Sequence, residues 1–293
     1  MIRFNQRLLS DSLCSPQSLG VGPMNEEIMK INWILEREVF NDNHDRLAEA
    51  ATIAGHKVIS WDDFWWENGN WPSLQNEHTI FHGSLGNASR IASEQLWNPG
   101  VFCNTSAFEC RAWYENARQW LIHKNWVFST VSEFVSEPEH YLVAIGSPER
   151  FFVRPDSPLK PFSGRIIHRD QLSFEALDYG FYYEDKNLPI VITPVSDVGM
   201  EWRFVIAGQD VIAYSAYEAS DRKESNSECP SEVSDYAKKV AKALIPPDPM
   251  YILDVCIADG DLNLIEINPF SGADLYACDR QAIVSAVEGI LMA

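Results

Sequence analysis

Residues 251–269, reading YILDVCIADGDLNLIEINP, constrain this chain more than any other stretch. Two alternating apolar runs flank an Asp-Gly dipeptide, a strong short-range signal for a β-hairpin. A three-residue loop, Asp259 to Asp261, pairs Ala258 with Leu262 and sets Asp254 opposite Glu266. One face then carries Leu253, Val255, Ile257, Ile265 and Ile267, and the other Asp254, Cys256, Leu264, Glu266 and Asn268. A slip of one residue would mix the two sets, so the apolar pattern selects this pairing. Two carboxylates and a carboxamide thereby converge at the open end of the hairpin, beside Pro269, which cannot extend a central ladder.

Such a trio is either a solvated hairpin end with ordinary surface acids or an oxygen site for a cation. Close like charges raise each other's pKa unless a cation neutralises them. An all-oxygen donor set suits Mg²⁺, which takes one or two carboxylates together with substrate phosphates. The amphipathic register favours the second reading, with Asp254, Glu266 and Asn268 as candidate metal ligands.

A length of 293 residues fits one large domain or two to three small ones, and 46% hydrophobic with 22% charged residues is ordinary for a globular chain. The net charge of -19 weighs against non-specific nucleic-acid or anionic-membrane binding, because phosphate backbones are held through Lys and Arg. It leaves room for a nucleotide with Mg²⁺. No apolar run is long enough for a transmembrane helix and no signal-peptide core follows Arg3 and Arg7. The six scattered cysteines, none in a CxxC pair, read as reduced thiols of a cytoplasmic protein. His78 and His82 flank an extended Thr-Ile-Phe, which separates them by about 13 Å, too far to share a zinc ion.

Residues 1–28 lack any period and read as a poorly ordered extension, with Met24 and Met29 as possible later starts. Strand 31–35, an Ala-rich helix over 43–55 and strand 57–60 make a β-α-β opening, so an α/β domain is expected over 29–126. Trp61, Trp65, Trp66 and Trp71 follow in a loop-like stretch and pack the crossover on the sheet rather than bind a ligand. Strand 79–82 runs into Gly83 to Gly86, which lacks the Lys-Ser/Thr ending of a P-loop and reads as a tight turn. A helix is expected over Ser106 to His123, with Ser106 as cap and Glu109 at capping-box spacing. From Val127 onward strands and hairpins dominate: 150–154, 164–168, 189–193, and a 201–206/210–214 hairpin. A polar loop over 220–230, a helix over 231–244, the opening hairpin and a closing helix over 281–292 complete the chain.

A polyphosphate also needs cations. Arg154 ends a strand beside a proline-rich loop carrying Lys160, which would place a guanidinium and a flexible ammonium at a lid mouth. Glu201 and Arg203 share one strand face, with Trp202, Phe204 and Ile206 on the other. Taken singly, each of these signals is weak and reads as an ordinary surface charge. Their order along the chain carries more weight than any one of them.

That order resembles the ATP-grasp superfamily: a strand with Arg154, a lid with Lys160, an apolar strand before Thr193 and Pro194, a hairpin opened by Gly199 to Arg203, a helix, then Asp254 and Glu266 to Asn268. The last segment is similar to the magnesium-binding end of glutathione synthetase-like ligases. The resemblance covers residues 127–293 well and the N-terminal region in outline. It implies an α/β N-terminal domain followed by an α+β ATP-grasp module, whose antiparallel sheets enclose the nucleotide. A lid-bearing part would span about 127–190 and a C-terminal part about 191–293. It implies that Asp254, Glu266 and Asn268 hold Mg²⁺ on the ATP phosphates, and that Arg203 contacts the γ-phosphate or an acyl phosphate. Arg154 stands where the family has a strand lysine, and Lys160 lies in the lid. The backbone of Ile192, Thr193, Pro194 and Val195 would meet adenine. Ser271 and Gly272 would offer N–H groups to a phosphate or carboxylate, and Glu201 would line the site or orient a substrate amine.

The implied activity is ATP- and Mg-dependent ligation of a carboxylate to an amine, on a small-molecule or peptide substrate. The alternatives are phosphoryl transfer to a hydroxyl, and nucleotide binding without turnover. Two departures bear on this: arginine replaces lysine at 154, and the lid is rich in proline where relatives have glycine.

Overall fold

The computed structural model describes residues 30–40, 42–74, 77–177, 185–217 and 225–293. The expected extension over 1–28 lies outside these residues. The first layer runs β1 (Asn32–Leu35), α1 (Arg37–Phe40), α2 (Asp42–Ile53), β2 (Lys57–Ser60), α3 (Phe64–Asn68), β3 (His78–His82), α4 (Leu85–Glu94) and β4 (Asn98–Gly100). Its four strands are parallel, in the order β2-β1-β3-β4. All four residues of β1 are buried, as a strand covered on both faces requires. Past the end of α2, Gly55 takes φ 84°, the left-handed conformation that commonly ends a helix. The tryptophans pack the crossover on the sheet as expected, with Trp61 at ring centroid distances of 5.2 Å from Trp65 and 5.0 Å from Phe81.

The helix expected over Ser106 to His123 is a correction. Thr105–Phe108 forms a 3₁₀ turn and α5 spans only Cys110–Ala117. The Ser106 hydroxyl donates to Asn104 Oδ1 (3.0 Å), and Glu109 takes the N-cap place without a side-chain cap. Past Ala117 the chain turns into an edge partner for the distal hairpin. Ile122 N–H donates to Leu264 O (2.9 Å) and Leu264 N–H to Trp120 O (2.8 Å). Covering an open strand edge wins over continuing the helix. A capping box does occur, but at Thr130 and Glu133.

The second sheet is antiparallel, β5 (Val127–Thr130), β8 (Pro189–Pro194), β6 (Arg150–Pro155) and β7 (Arg165–His168) in that spatial order. Helices α6 (Val131–Ser136) and α7 (Pro138–Leu142) accompany it, and Phe134, Phe151, Val153, Ile190 and Ile192 form its core. The third sheet is antiparallel too, comprising β9 (Val198–Ala207), β10 (Asp210–Tyr217), β11 (Ser225–Asn226), β12 (Met250–Ala258) and β13 (Asp261–Pro269) in the order β11-β10-β9-β12-β13. The polar loop expected over 220–230 is described only from Ser225, where two residues pair with β10. One face of this sheet, with Trp202, Phe204, Ile206, Leu253 and Val255, packs on α5 and α8 (Ser231–Ala243). On the other face Val205 and Ile252 share a core with β1, α2 and α9 (Arg280–Met292), so the last helix closes the core of the first sheet.

The 251–269 hairpin forms, and Asp254 lies opposite Glu266 as expected, but by another route. The turn has two residues, Asp259 at φ 53° and Gly260 at φ 86°, and Ala258 pairs with Asp261 rather than Leu262. Two successive left-handed residues make the tight hairpin turn that matches strand twist. A bulge between Asp254 and Val255 then restores the pairing by letting Val255 face Leu264 and passing over Ile265. The consequence for the faces is a correction. Leu264 is fully buried in the core beside Leu253, Val255 and Ile267, whereas Ile257 is 37% exposed. The bulge sits where Leu264 docks on residues 120–122, so a long-range contact sets it.

Candidate active site

Strand β12 lies between β9 and β13, so Asp254 has a direct neighbour on each side: Arg203 and Glu266. Ser215 faces Arg203 from β10. Residues Ser215, Arg203, Asp254 and Glu266 therefore form one transverse row across four strands, with neighbouring Cβ atoms about 5 Å apart. Period-2 alternation makes this row polar while Trp202, Phe204, Leu253 and Val255 fill the opposite face.

The row is densely paired. Arg203 grips Asp254 bidentately, Nε to Oδ1 at 2.9 Å and Nη2 to Oδ2 at 2.7 Å, and its Nη1 donates to Asp274 O at 2.8 Å. The two side chains are 10% and 1% exposed, which makes this a buried pair rather than a surface one. Glu266 takes its partners from the second sheet and its lid, Arg154 Nη2 at 3.0 Å and Lys160 Nζ at 2.9 Å. Burial pushes the Glu266 carboxyl up, but Lys160, Arg154 and the Asn268 amide outweigh it and hold it well below the usual carboxylate range. Burial likewise opposes the charge on Arg203, and Asp254 more than restores it.

Asn268 sits between the acids, its amide donating to Asp254 Oδ2 at 3.2 Å and to Glu266 Oε1 at 3.0 Å. A single atom therefore touches oxygens of both carboxylates. That convergence is the fit a hard divalent cation requires, once the amide turns its oxygen inward. Among the described residues no cluster of three or more His, Cys, Asp or Glu side chains could hold a metal. This donor set has two carboxylates and a carboxamide and needs further oxygens from a ligand.

The backbone expected to meet adenine belongs to the end of β8. The β5–β8 ladder ends at Val127 opposite Ile192, so the backbone from Thr193 through Val195 leaves that ladder where the chain passes from β8 to β9 of the third sheet. Thr193 pairs across β6 with Phe152. The His123 ring stacks on Phe152 with centroids 6.2 Å apart, and its Nδ1 lies 3.4 Å from Ser196 Oγ. Burial, aided by the Arg154 charge, pushes the His123 imidazole down to about 4, so it is neutral at pH 7. Glu201 accepts the Tyr217 hydroxyl at 2.6 Å.

The Ser271 expectation needs correction. Its N–H donates to Phe102 O (3.3 Å) and its hydroxyl accepts Phe102 N–H (2.9 Å), which ties the turn to the segment after β4 instead of leaving the N–H for a ligand. At Gly272 a Cβ would run into Leu85, so only glycine admits α4 this close.

Several residues at the site carry no sequence signal of their own. Asp156, which follows Arg154 and Pro155, is buried and accepts both the backbone N–H and the Nε–H of Arg111, which moors the start of the lid to α5. Tyr217 and Tyr276 stack at 4.7 Å, and Arg203 lies 5.7 Å and 4.8 Å from their ring centroids. His123 belongs with them. Tyr217 lies past the end of the strand expected over 210–214.

A family profile described as an ATP-grasp domain, family 2 of its clade, matches residues 124–286. No curated protein sequence is significantly similar to the chain. Among solved structures, D-cycloserine synthetase DcsG superposes with TM-score 0.65 at 14% identity, over 89% of this chain and 99% of that one. D-alanine–D-alanine ligase from Bacillus anthracis, solved with ATP, gives 0.56 at 16% identity over 90% and 98%. The ATP-grasp ligase PsnB, solved with a phosphomimetic variant of its minimal precursor, Mg and ADP, gives 0.56 at 12% identity over 90% and 99%. At such identities the likeness speaks for the fold, an ATP-grasp fold with two antiparallel sheets facing each other.

Proposed function

Because the chain belongs to this ATP-grasp domain family, we propose that it is an ATP-dependent ligase that joins a carboxylate to an amine. The observation that carries this reading is the meeting of Asp254, Glu266 and Asn268 with Arg203, Arg154 and Lys160 in one cleft between two sheets. The three oxygen-bearing side chains would hold Mg²⁺, which when bound neutralises phosphate charge and orients the oxygens of ATP. Lys160 and Arg154 would leave Glu266 to grip phosphate oxygens. Arg203 would stay on Asp254 and present its remaining edge to the transferring group. The backbone of Ile192 to Val195 would meet adenine, and Glu201 would line the cleft beyond Arg203.

In the reaction, a substrate carboxylate oxygen attacks the γ-phosphorus and ADP leaves. The amine nitrogen then attacks the acyl carbon, phosphate departs and the nitrogen loses a proton. The protein contributes positioning and charge complementarity, the main sources of rate in phosphoryl transfer. The names of the similar structures favour a small amino-acid-like molecule or a peptide as substrate. The domain division we propose is 29–126 for the α/β part and 127–293 for the ATP-grasp part, split near residue 190. No helix of the described residues is long and apolar enough to cross a membrane.

The test is a product assay with Mg-ATP across amino acids and short peptides. Ligation predicts ADP and free phosphate only when both co-substrates are present, and hydroxamate when hydroxylamine replaces the amine. Retention of the γ-phosphoryl label on an acceptor would overturn it in favour of a phosphotransferase. Binding without ADP release across the whole panel would leave a nucleotide-binding module.

A further inference from the structure

The segment Ala273 to Cys278 has no place in the mechanism above, yet it carries an unusual conformation. Tyr276 takes φ 44°, the left-handed region that a bulky side chain rarely occupies. Strain of this kind persists only where the surroundings over-determine it. Here they do. Arg280, itself 6% exposed, reaches back from the first turn of α9 and donates to the carbonyls of Leu275 (3.1 Å), Tyr276 (2.5 Å) and Cys278. The Tyr276 N–H donates to Asp274 Oδ1 (2.9 Å), and the Ala277 N–H to Ser215 Oγ (3.1 Å) on the strand beside Arg203. The turn is thus fastened at both ends around the strained residue.

What the strain delivers is the position of one ring. Tyr276 lies against Tyr217 at 29° between planes and 4.7 Å between centroids. Both are nearly buried, and both lie within cation–π reach of the Arg203 guanidinium. The same turn supplies the Asp274 carbonyl that takes Arg203 Nη1. Asp254 fixes one edge of the guanidinium, while the turn fixes its face and takes one N–H of Nη1, so that one further N–H on each of Nη1 and Nη2 is left for a ligand.

We propose that Tyr276 is a positioning residue, held in a strained conformation by Arg280 so that its ring and the Asp274 carbonyl aim Arg203 at the γ-phosphate of the nucleotide. The proposal rests on the reading of Arg203 as a γ-phosphate contact, and the test separates the two. The readout is the γ-phosphate increment, the ratio of the Kd for Mg-ADP to that for Mg-AMPPNP, measured by calorimetry without any acceptor. Arg203→Lys should shrink the wild-type increment toward one. If the wild type has no increment, or Arg203→Lys retains it, the γ-phosphate reading itself fails.

Given that increment, Tyr276→Asn keeps a residue that tolerates the left-handed region but removes the ring. It should lower the increment about tenfold while Mg-ADP affinity stays within about twofold, and Tyr276→Phe should restore it. An unchanged increment in a folded Tyr276→Asn protein, or an equal loss of Mg-ADP binding, would overturn the proposal. Should Tyr276→Asn fail to fold, Tyr217→Leu removes the other ring at an unstrained position. It should lower the increment about threefold, and no change there overturns the proposal equally.

Discussion

Two ion pairs on one row, Arg203–Asp254 in its middle and Lys160–Glu266 at its end, have similar lengths and opposite characters. The first joins neighbouring strands of a single sheet, bidentately, with side chains 10% and 1% exposed. The second spans two sheets through a loop residue, with side chains 40% and 15% exposed. A pair built into a ladder cannot separate without disturbing the strands, whereas a lid lysine can swing away at little expense. On the proposed function, the site would combine a fixed pole that sets where the phosphate lies with an exchangeable pole that follows it. Arg154 stands between them, on a strand but facing Glu266 across the cleft at 3.0 Å.

The largest effect that would sharpen this contrast is on stability. Asp254→Ala leaves the Arg203 charge buried with the Asp274 carbonyl as its remaining hydrogen-bond partner here. It should destabilise the protein by about 3–5 kcal/mol in urea unfolding. Replacing both partners, Arg203→Met with Asp254→Leu, should recover most of that loss, because no unpaired charge is left behind. A loss below about 1 kcal/mol for Asp254→Ala would mean the fixed pole is not a buried unit.

Glu266 separates the poles by pH. Its folded pKa is depressed, so its contribution to stability is fully present above its ordinary value of 4.5. That contribution drains away as pH falls toward the folded value, because the unfolded chain takes up the proton first. Wild type should therefore lose stability to Glu266→Gln progressively below about pH 5, and the gap between their urea midpoints should close. Parallel curves down to about pH 3 would show that Lys160 and Arg154 do not hold the carboxylate in solution.

The sequence exposes these poles unequally, for physical reasons. Asp254 opposite Glu266 was legible because apolar alternation about an Asp-Gly turn fixes register locally. The compensating bulge at Ile265 was not, since it follows from Leu264 docking on residues 120–122. That same docking ended the helix expected through His123. Arg154 and Lys160 were legible through their order along the chain, while the choice of Glu266 as their partner depends on how two sheets face each other. Tyr276 and its left-handed turn were illegible. Nothing local calls for a tyrosine at φ 44°, and the donors that hold it come from Arg280, the first residue of the next helix.

The smallest stability effect belongs to the exchangeable pole, and there function and stability should part company. Lys160→Met removes an ammonium that is two-fifths exposed, so its pairing with Glu266 is partly screened and its loss should cost less than about 1 kcal/mol. Most of that should vanish in about 1 M salt, where the Debye length falls to about 3 Å. Mg-ATP affinity should fall more, by about tenfold, since a charge-assisted contact to phosphate is lost. Arg154 remains to neutralise Glu266, so the fold survives while the lid loses its grip. If Lys160→Met weakened folding as much as Asp254→Ala and left Mg-ATP affinity untouched, the two poles would have to be exchanged: the lid pair would be structural and the strand pair the one that opens.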